Sequence, residues 1–265
     1  MVYINGGKLP GMTEESDPFD GADDQTPPRS NHTLSLAAGL FFARESSTWT
    51  RGVAFIDSTA STDGHEARVA LRGYNLSLAQ FQHILQQENG KIPLQVTQAM
   101  LEGLVEQGVR THLRADEVSR DTVVRVGARH RFDTPSWYNT MLVLDTAIDG
   151  APIVTFTCAE DVLWRELQPP SDAYLRVLFL GLQEAGLTAD EAARYLAMYV
   201  HTSSSHVLEV CADCHPPVAR HLEVVAASSE PAASGIEAAV ADPGSVDSCH
   251  HCDKVAAVKR LPTRT

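Results

Sequence analysis

Two cysteine pairs stand out for the chemistry they could do: Cys211-Ala-Asp-Cys214 and Cys249-His-His-Cys252, with His215 beside the first. Four thiolates in two such pairs can hold a structural zinc, each pair supplying two ligands. The separating segment, 215–248, is longer than a compact zinc knuckle uses, and it is rich in Ala and Ser. A structural zinc held by Cys211, Cys214, Cys249 and Cys252 is therefore one expectation, and a tail with incidental cysteines is the other. "CADCH" also fits a haem-attachment pattern, but that chemistry goes with export, and the opening residues carry no basic stretch followed by an apolar core. The fifth cysteine, Cys158, closes an apolar run and reads as a small buried residue.

At the other end, "MVYINGG" runs a short apolar stretch into Asn5, Gly6 and Gly7. A predicted strand over Met1–Ile4 that stops at two glycines can bring backbone N–H groups close to an anion. Carboxylates are the remaining candidates. Glu88 sits in "QQENG" at a predicted helix end, where a glutamate ordinarily faces water, and Glu45 follows an apolar strand.

Composition limits what these residues can serve. The chain has 265 residues, enough for a domain of about 200 that buries roughly 70% of its unfolded surface, plus a tail. Net charge is −13, from 34 acidic and 21 basic residues, which argues against a nucleic-acid surface. No apolar run reaches the roughly 20 residues that span a bilayer, so no membrane partner is expected and the expected location is cytoplasmic.

The elements that must position these residues follow from periodicity. Residues 12–31 are rich in Asp, Glu, Pro and Ser and read as a loop. Strands are predicted in "TLSLAAGLFFARE", "RGVAFIDS", "ARVALRGYNL" and "DTVVRVGARHRF". Leu78, Phe81, Ile84 and Leu85 recur at helical spacing behind Ser77 as N-cap, and Asn89-Gly90 ends that helix. Val96, Met100, Leu104 and Val105 mark a second helix. Asp149-Gly150 predicts a hairpin turn. Two helices follow: Ser171 caps the first, Gly186 ends it, and Thr188 with Glu191 forms a capping box for the second. Beyond residue 200 periodicity fades. The expectation is an α+β domain over 1–200 and a Cys- and His-containing tail over 201–265.

Three stretches in order resemble the γ-glutamylcyclotransferase family: "SSTWTRGVAFID" (46–57), "ARVALRGYNLSLAQFQHILQQENG" (67–90) and the run from "APIVTFTCAED" through "PPSDAYLRVLFLGLQEAGL" (151–187). The resemblance covers residues 34–199. It implies a small mixed-strand β-barrel with flanking helices. It also implies cyclisation of a γ-glutamyl amine to 5-oxoproline with release of the amine, hence transferase or lyase chemistry in glutathione metabolism with no cofactor. The substrate's own amine attacks its γ-carbonyl, so the protein need only hold a folded conformer, supply N–H donors to the oxyanion and move a proton. The position matching the family's proton carrier is Glu88.

The same resemblance makes Tyr3, Asn5, Gly6, Gly7, Glu45 and Trp49 the expected substrate contacts, for a small γ-glutamyl ligand. The family's Tyr-Gly-Ser-Asn loop is not found. "VYINGG" is either a degenerate counterpart or sequence lying beyond a lost loop. Arg51 replaces the first of a Gly-Gly pair, and Phe156 stands where relatives often carry Tyr. An enzyme and a non-catalytic relative that has lost its anion cradle both remain open, as does a role carried by the tail alone. Oligomeric state is not legible.

Overall fold

The computed structural model describes residues 2–58, 67–159 and 167–204. The chain divides into two units, Met1–Glu230 and Pro231–Thr265, and every described residue belongs to the first. The four paired cysteines, 211, 214, 249 and 252, lie outside the described residues, as does the expected tail beyond 204.

The architecture is mixed α+β. Its elements are α1 (Val2–Asn5), β1 (Asn31–Ala37), β2 (Gly39–Ala43), β3 (Val53–Asp57), β4 (Arg68–Tyr74), α2 (Leu78–Glu88), α3 (Gln98–Gly108), β5 (Thr111–Leu113), β6 (Val123–Val124), β7 (Val126–Arg131), β8 (Thr140–Ile148), β9 (Ala151–Thr157), α4 (Asp172–Glu184) and α5 (Ala189–Ser204). Among the described residues the strands form three sheets. One has the order β4-β1-β6, a second pairs β2 with β3, and the third gathers β5, β7 and β9 around β8.

Local signals hold where the sequence carries them. Ser77 caps α2, accepting from Gln80 N–H while the Gln80 side chain accepts from Ser77 N–H. Thr97 and Ser171 cap α3 and α4. Thr188 and Glu191 bond reciprocally at the start of α5, which runs through the expected boundary at 200 to Ser204. The β8–β9 hairpin turns at Asp149 and Gly150, both with positive φ (47° and 79°), as a two-residue hairpin loop requires.

Three expectations change. The opening apolar residues form the helical turn α1 rather than a strand: the Gly6 N–H reaches back to the Val2 carbonyl at 2.7 Å, closing the turn. The single strand predicted over "TLSLAAGLFFARE" is two, because the chain changes sheets at Ala38: β1 pairs with β4 and β2 with β3. The strand predicted over "DTVVRVGARHRF" likewise splits into β6, parallel to β1, and β7, antiparallel to β8.

Apolar packing occurs in several layers. α4 and α5 cover β2 with Leu175, Phe179, Leu182 and Leu196 around the fully buried Phe42. A second layer packs Leu34, Leu36 and Val69 of the β1–β4 pair on Leu142 and Leu144 of β8. A third sets α2 and α3 on β7 and β8 through Leu85, Leu104, Ala128 and Met141.

Candidate active site

Glu88 is the last residue of α2 and shares a helical face with Ile84 and Phe81, four and seven positions before it. Its side chain is half-buried, and its carboxyl end is withdrawn from water. Burial raises the Glu88 pKa, and a hydrogen bond from the Tyr3 hydroxyl partly opposes that rise by favouring the anion. Burial, then the nearby Glu88 charge, holds the Tyr3 phenol well above its ordinary value. The two groups therefore share a site in which ionising either is disfavoured.

Tyr3 reaches Glu88 because α1 is tied down. Ile4 is 1% exposed, the Ile4 carbonyl accepts from Ala22 N–H, and the Tyr3 ring meets Phe19 edge-on at 4.5 Å. Gln87 adds a link from α2, its Nε2 donating to the Tyr3 carbonyl at 3.1 Å. The Gln87 Oε1 is buried and has no hydrogen-bond partner among the described residues.

Two further phenols stand around this pair. Tyr138 donates to the Ala54 carbonyl at 3.2 Å, and Tyr174 accepts from the Ala54 N–H at 3.3 Å, so both hydroxyls meet one residue of β3. Burial pushes Tyr138 well above its ordinary pKa and Tyr174 up to about 12, with the Glu88 charge adding to each. Asn89, 4% exposed, sets the loop that presents Tyr138. Its Oδ1 accepts from the Tyr138 N–H and the Ser136 hydroxyl, and its Nδ2 donates to the carbonyls of Leu85 and Tyr138. The residue that ends α2 thus anchors a segment about fifty positions away.

A cleft of about 710 Å³ runs beside α2. Its walls include Phe81 and Ile84 of α2, Leu101 of α3 and Ile153 and Phe156 of β9, and Tyr3 also lines it. This volume is within the range of small-molecule sites.

The other expected contacts are elsewhere. Asn5 is exposed. The Gly6 and Gly7 amides are engaged inside the segment, Gly6 with Val2 and Gly7 with Phe19 at 2.9 Å, so neither presents a free N–H. Glu45 is exposed to solvent. Trp49 packs in the core against Tyr174, 5.1 Å between ring centres, beside Phe41 and Cys158. Arg51 is exposed, and the close backbone approach falls instead at Gly52, where an added Cβ would lie 2.0 Å from the Gln168 carbonyl oxygen. Burial holds the Cys158 thiol at about 11. No three His, Cys, Asp or Glu side chains gather as a metal-ligand set among the described residues, and no described helix is long and apolar enough to cross a membrane.

Comparison with curated proteins finds a histone deacetylase. The chain is 28% identical over 205 residues to histone deacetylase 5 of Arabidopsis thaliana, an alignment covering 74% of the chain and 28% of that protein. The chain therefore spans little more than a quarter of the length of the relative it matches. No family model matches the chain, and no solved structure matches it.

This match overturns the expected γ-glutamylcyclotransferase activity, together with the transferase, lyase, 5-oxoproline and glutathione-metabolism assignments, because the protein that shares the sequence is a histone deacetylase. The engaged Gly6 and Gly7 amides point the same way, since those N–H groups are not free to receive an oxyanion.

Sequence reasoning selected Glu88 and Tyr3 but missed Tyr138, Tyr174 and Asn89. The signal for Asn89 was present: a polar residue between a helix and a glycine is a candidate cap, and buried caps bind distant backbone. Nothing local marks Tyr138 or Tyr174, whose hydroxyls converge only through β3.

Proposed function

We propose that the described domain binds a small organic molecule in the cleft beside α2, where Tyr3 on the wall links it to a proton-holding carboxyl, Glu88, standing behind the phenol. The observation that carries this reading is the Tyr3–Glu88 hydrogen bond at a carboxyl withdrawn from water, with Tyr3 also lining the cleft. A carboxyl of raised pKa can pass a proton through the Tyr3 hydroxyl to a basic atom of a bound molecule. The Glu88 O–H bond breaks as the phenol oxygen gains that proton and gives up its own to the ligand, and the carboxylate left behind accepts from the Tyr3 hydroxyl. Beside it, Gln87 Oε1 supplies an acceptor that no described residue satisfies, a condition costing about 1–3 kcal/mol unless a donor arrives.

The expected barrel belongs here as well. Thr157 Oγ1 on β9 accepts from the Ile56 N–H at 3.0 Å and donates to the Ile56 carbonyl at 2.8 Å, a link between two sheets that supports closure.

The test is a pH titration of Glu88 by carbon NMR in the wild type and in Tyr3→Phe. Glu88 titrates above the ordinary glutamate value, and removing the phenol, which favours the anion, moves it further up. A Glu88 that titrates at the ordinary value, or that is unmoved by Tyr3→Phe, contradicts the reading.

A further inference from the structure

The cleft runs along α2, and its two ends differ in chemistry. At the inner end stand Tyr3 and, beyond it, Glu88. At the outer end stands Arg29, whose backbone N–H donates to the Asn75 carbonyl just before the helix. The 11 residues of α2 separate these ends by about 16 Å. Between them runs an apolar stripe, Leu78, Phe81 and Ile84 from one helical face opposed by Leu101, Ile153 and Phe156, with Gln98 and Thr155 also on the walls.

One cation at the outer end differs from its neighbours. Arg72, also on the wall, is paired with Glu184. Asp149 accepts from the Ala115 N–H, and His32 meets the Ser30 hydroxyl. Asp24, near the start of α2, is engaged by Thr26 and Ser77, which hold its carboxyl below the usual range. Arg29 has no ion pair among the described residues. An exposed guanidinium can take a carboxylate with two parallel hydrogen bonds.

We infer that the cleft takes an apolar-bodied monocarboxylate, its anion on Arg29 and its chain directed along Leu78, Phe81 and Leu101 toward Tyr3. This inference rests on the proposed ligand-binding reading and adds the chemical class. Once the side chains at each end reach inward, the span suits a body of roughly eight to twelve carbons. The inner end offers no fixed cation, so a second carboxylate there is disfavoured. The negative charge of the chain as a whole does not attract an anion, so recognition falls to Arg29 locally.

Calorimetric titration of the full chain with decanoate, hexanoate and 1-decanol tests this. Decanoate binds at one site per chain. Hexanoate, four methylenes shorter, binds roughly 200-fold more weakly, since each buried methylene is worth about 0.8 kcal/mol. Arg29→Gln weakens decanoate about tenfold and leaves 1-decanol within about twofold. Arg29 is exposed, so the variant leaves folding intact. Decanoate binding no tighter than 1-decanol, indifference to Arg29→Gln, or many weak sites overturns the inference. If Glu88 still titrates high while decanoate fails, only the ligand class falls; if Glu88 titrates at its ordinary value, the underlying reading falls with it.

Discussion

Two helices of similar length, each capped by a serine, lie on sheets and behave differently. α4 turns Leu175, Phe179 and Leu182 into a closed apolar layer shared with α5 and β2, and those residues are between 0% and 8% exposed. α2 buries Leu85 and Gln80 but leaves Leu78, Phe81 and Ile84 only partly covered, along a cleft that leads to Tyr3 beside Glu88. The α4 layer holds β2 by packing, and the Tyr174 hydroxyl accepts from the Ala54 N–H of the paired β3. The α2 layer keeps an open seam with the Tyr3 phenol at its end and Glu88 behind it. The difference separates surface used to hold the fold from surface left uncovered, where the proposed ligand would lie.

Truncation should expose that contrast most strongly. Phe179→Ala, at a fully buried position, is expected to cost about 3–5 kcal/mol, read by chemical denaturation. Phe81→Ala, half-exposed in the cleft, should cost about 1 kcal/mol while reducing ligand affinity; equal losses at the two positions would erase the distinction. Between them lies Asn89→Ala, which leaves the Tyr138 N–H and the Leu85 carbonyl without their partner and should cost about 2–3 kcal/mol. Its effect should include a shifted Tyr138 ring signal by NMR, which simple destabilisation would not produce.

The smallest effect is on the site itself and has the opposite sign. Glu88 is raised in the folded state, so its contribution to stability is fully present below the unfolded-state pKa and is lost as pH rises through the folded value. Replacing it with an uncharged isostere removes that loss. Glu88→Gln is expected to raise the melting temperature at pH 8 by about 2–4 °C, with the gain vanishing near pH 4, as followed by thermal scans at both pH values.

The sequence made the local features of this contrast legible and left the distant ones dark. Ser77, Ser171, the Thr188–Glu191 pair and Asp149-Gly150 act within four residues, so their caps and turn could be read directly. The switch of sheets at Ala38 could not, since "TLSLAAGLFFA" is equally apolar on both sides of the break and pairing is decided by separate later strands, β4 for β1 and β3 for β2. The same holds for the parallel partners, β5 with β8 and β6 with β1, which are too short to carry a period. The opening residues read as a strand because four residues cannot distinguish alternation from one helical turn. At the site, local sequence shows Glu88 only as a helix-end acid, and the family resemblance is what singles it out. That Tyr3 meets it follows from the loop over residues 6–22, where Gly7 and Phe19 exchange backbone hydrogen bonds and fold α1 back onto α2.

The most direct test is a series of infrared difference spectra between the wild type and Glu88→Gln, taken at rising pH. A protonated-carboxyl carbonyl band, missing from the variant, is expected to persist in the wild type to higher pH than the band of an ordinary glutamate. A wild-type band that fades with the ordinary glutamates, or below them, would contradict the raised, buried carboxyl on which everything else depends.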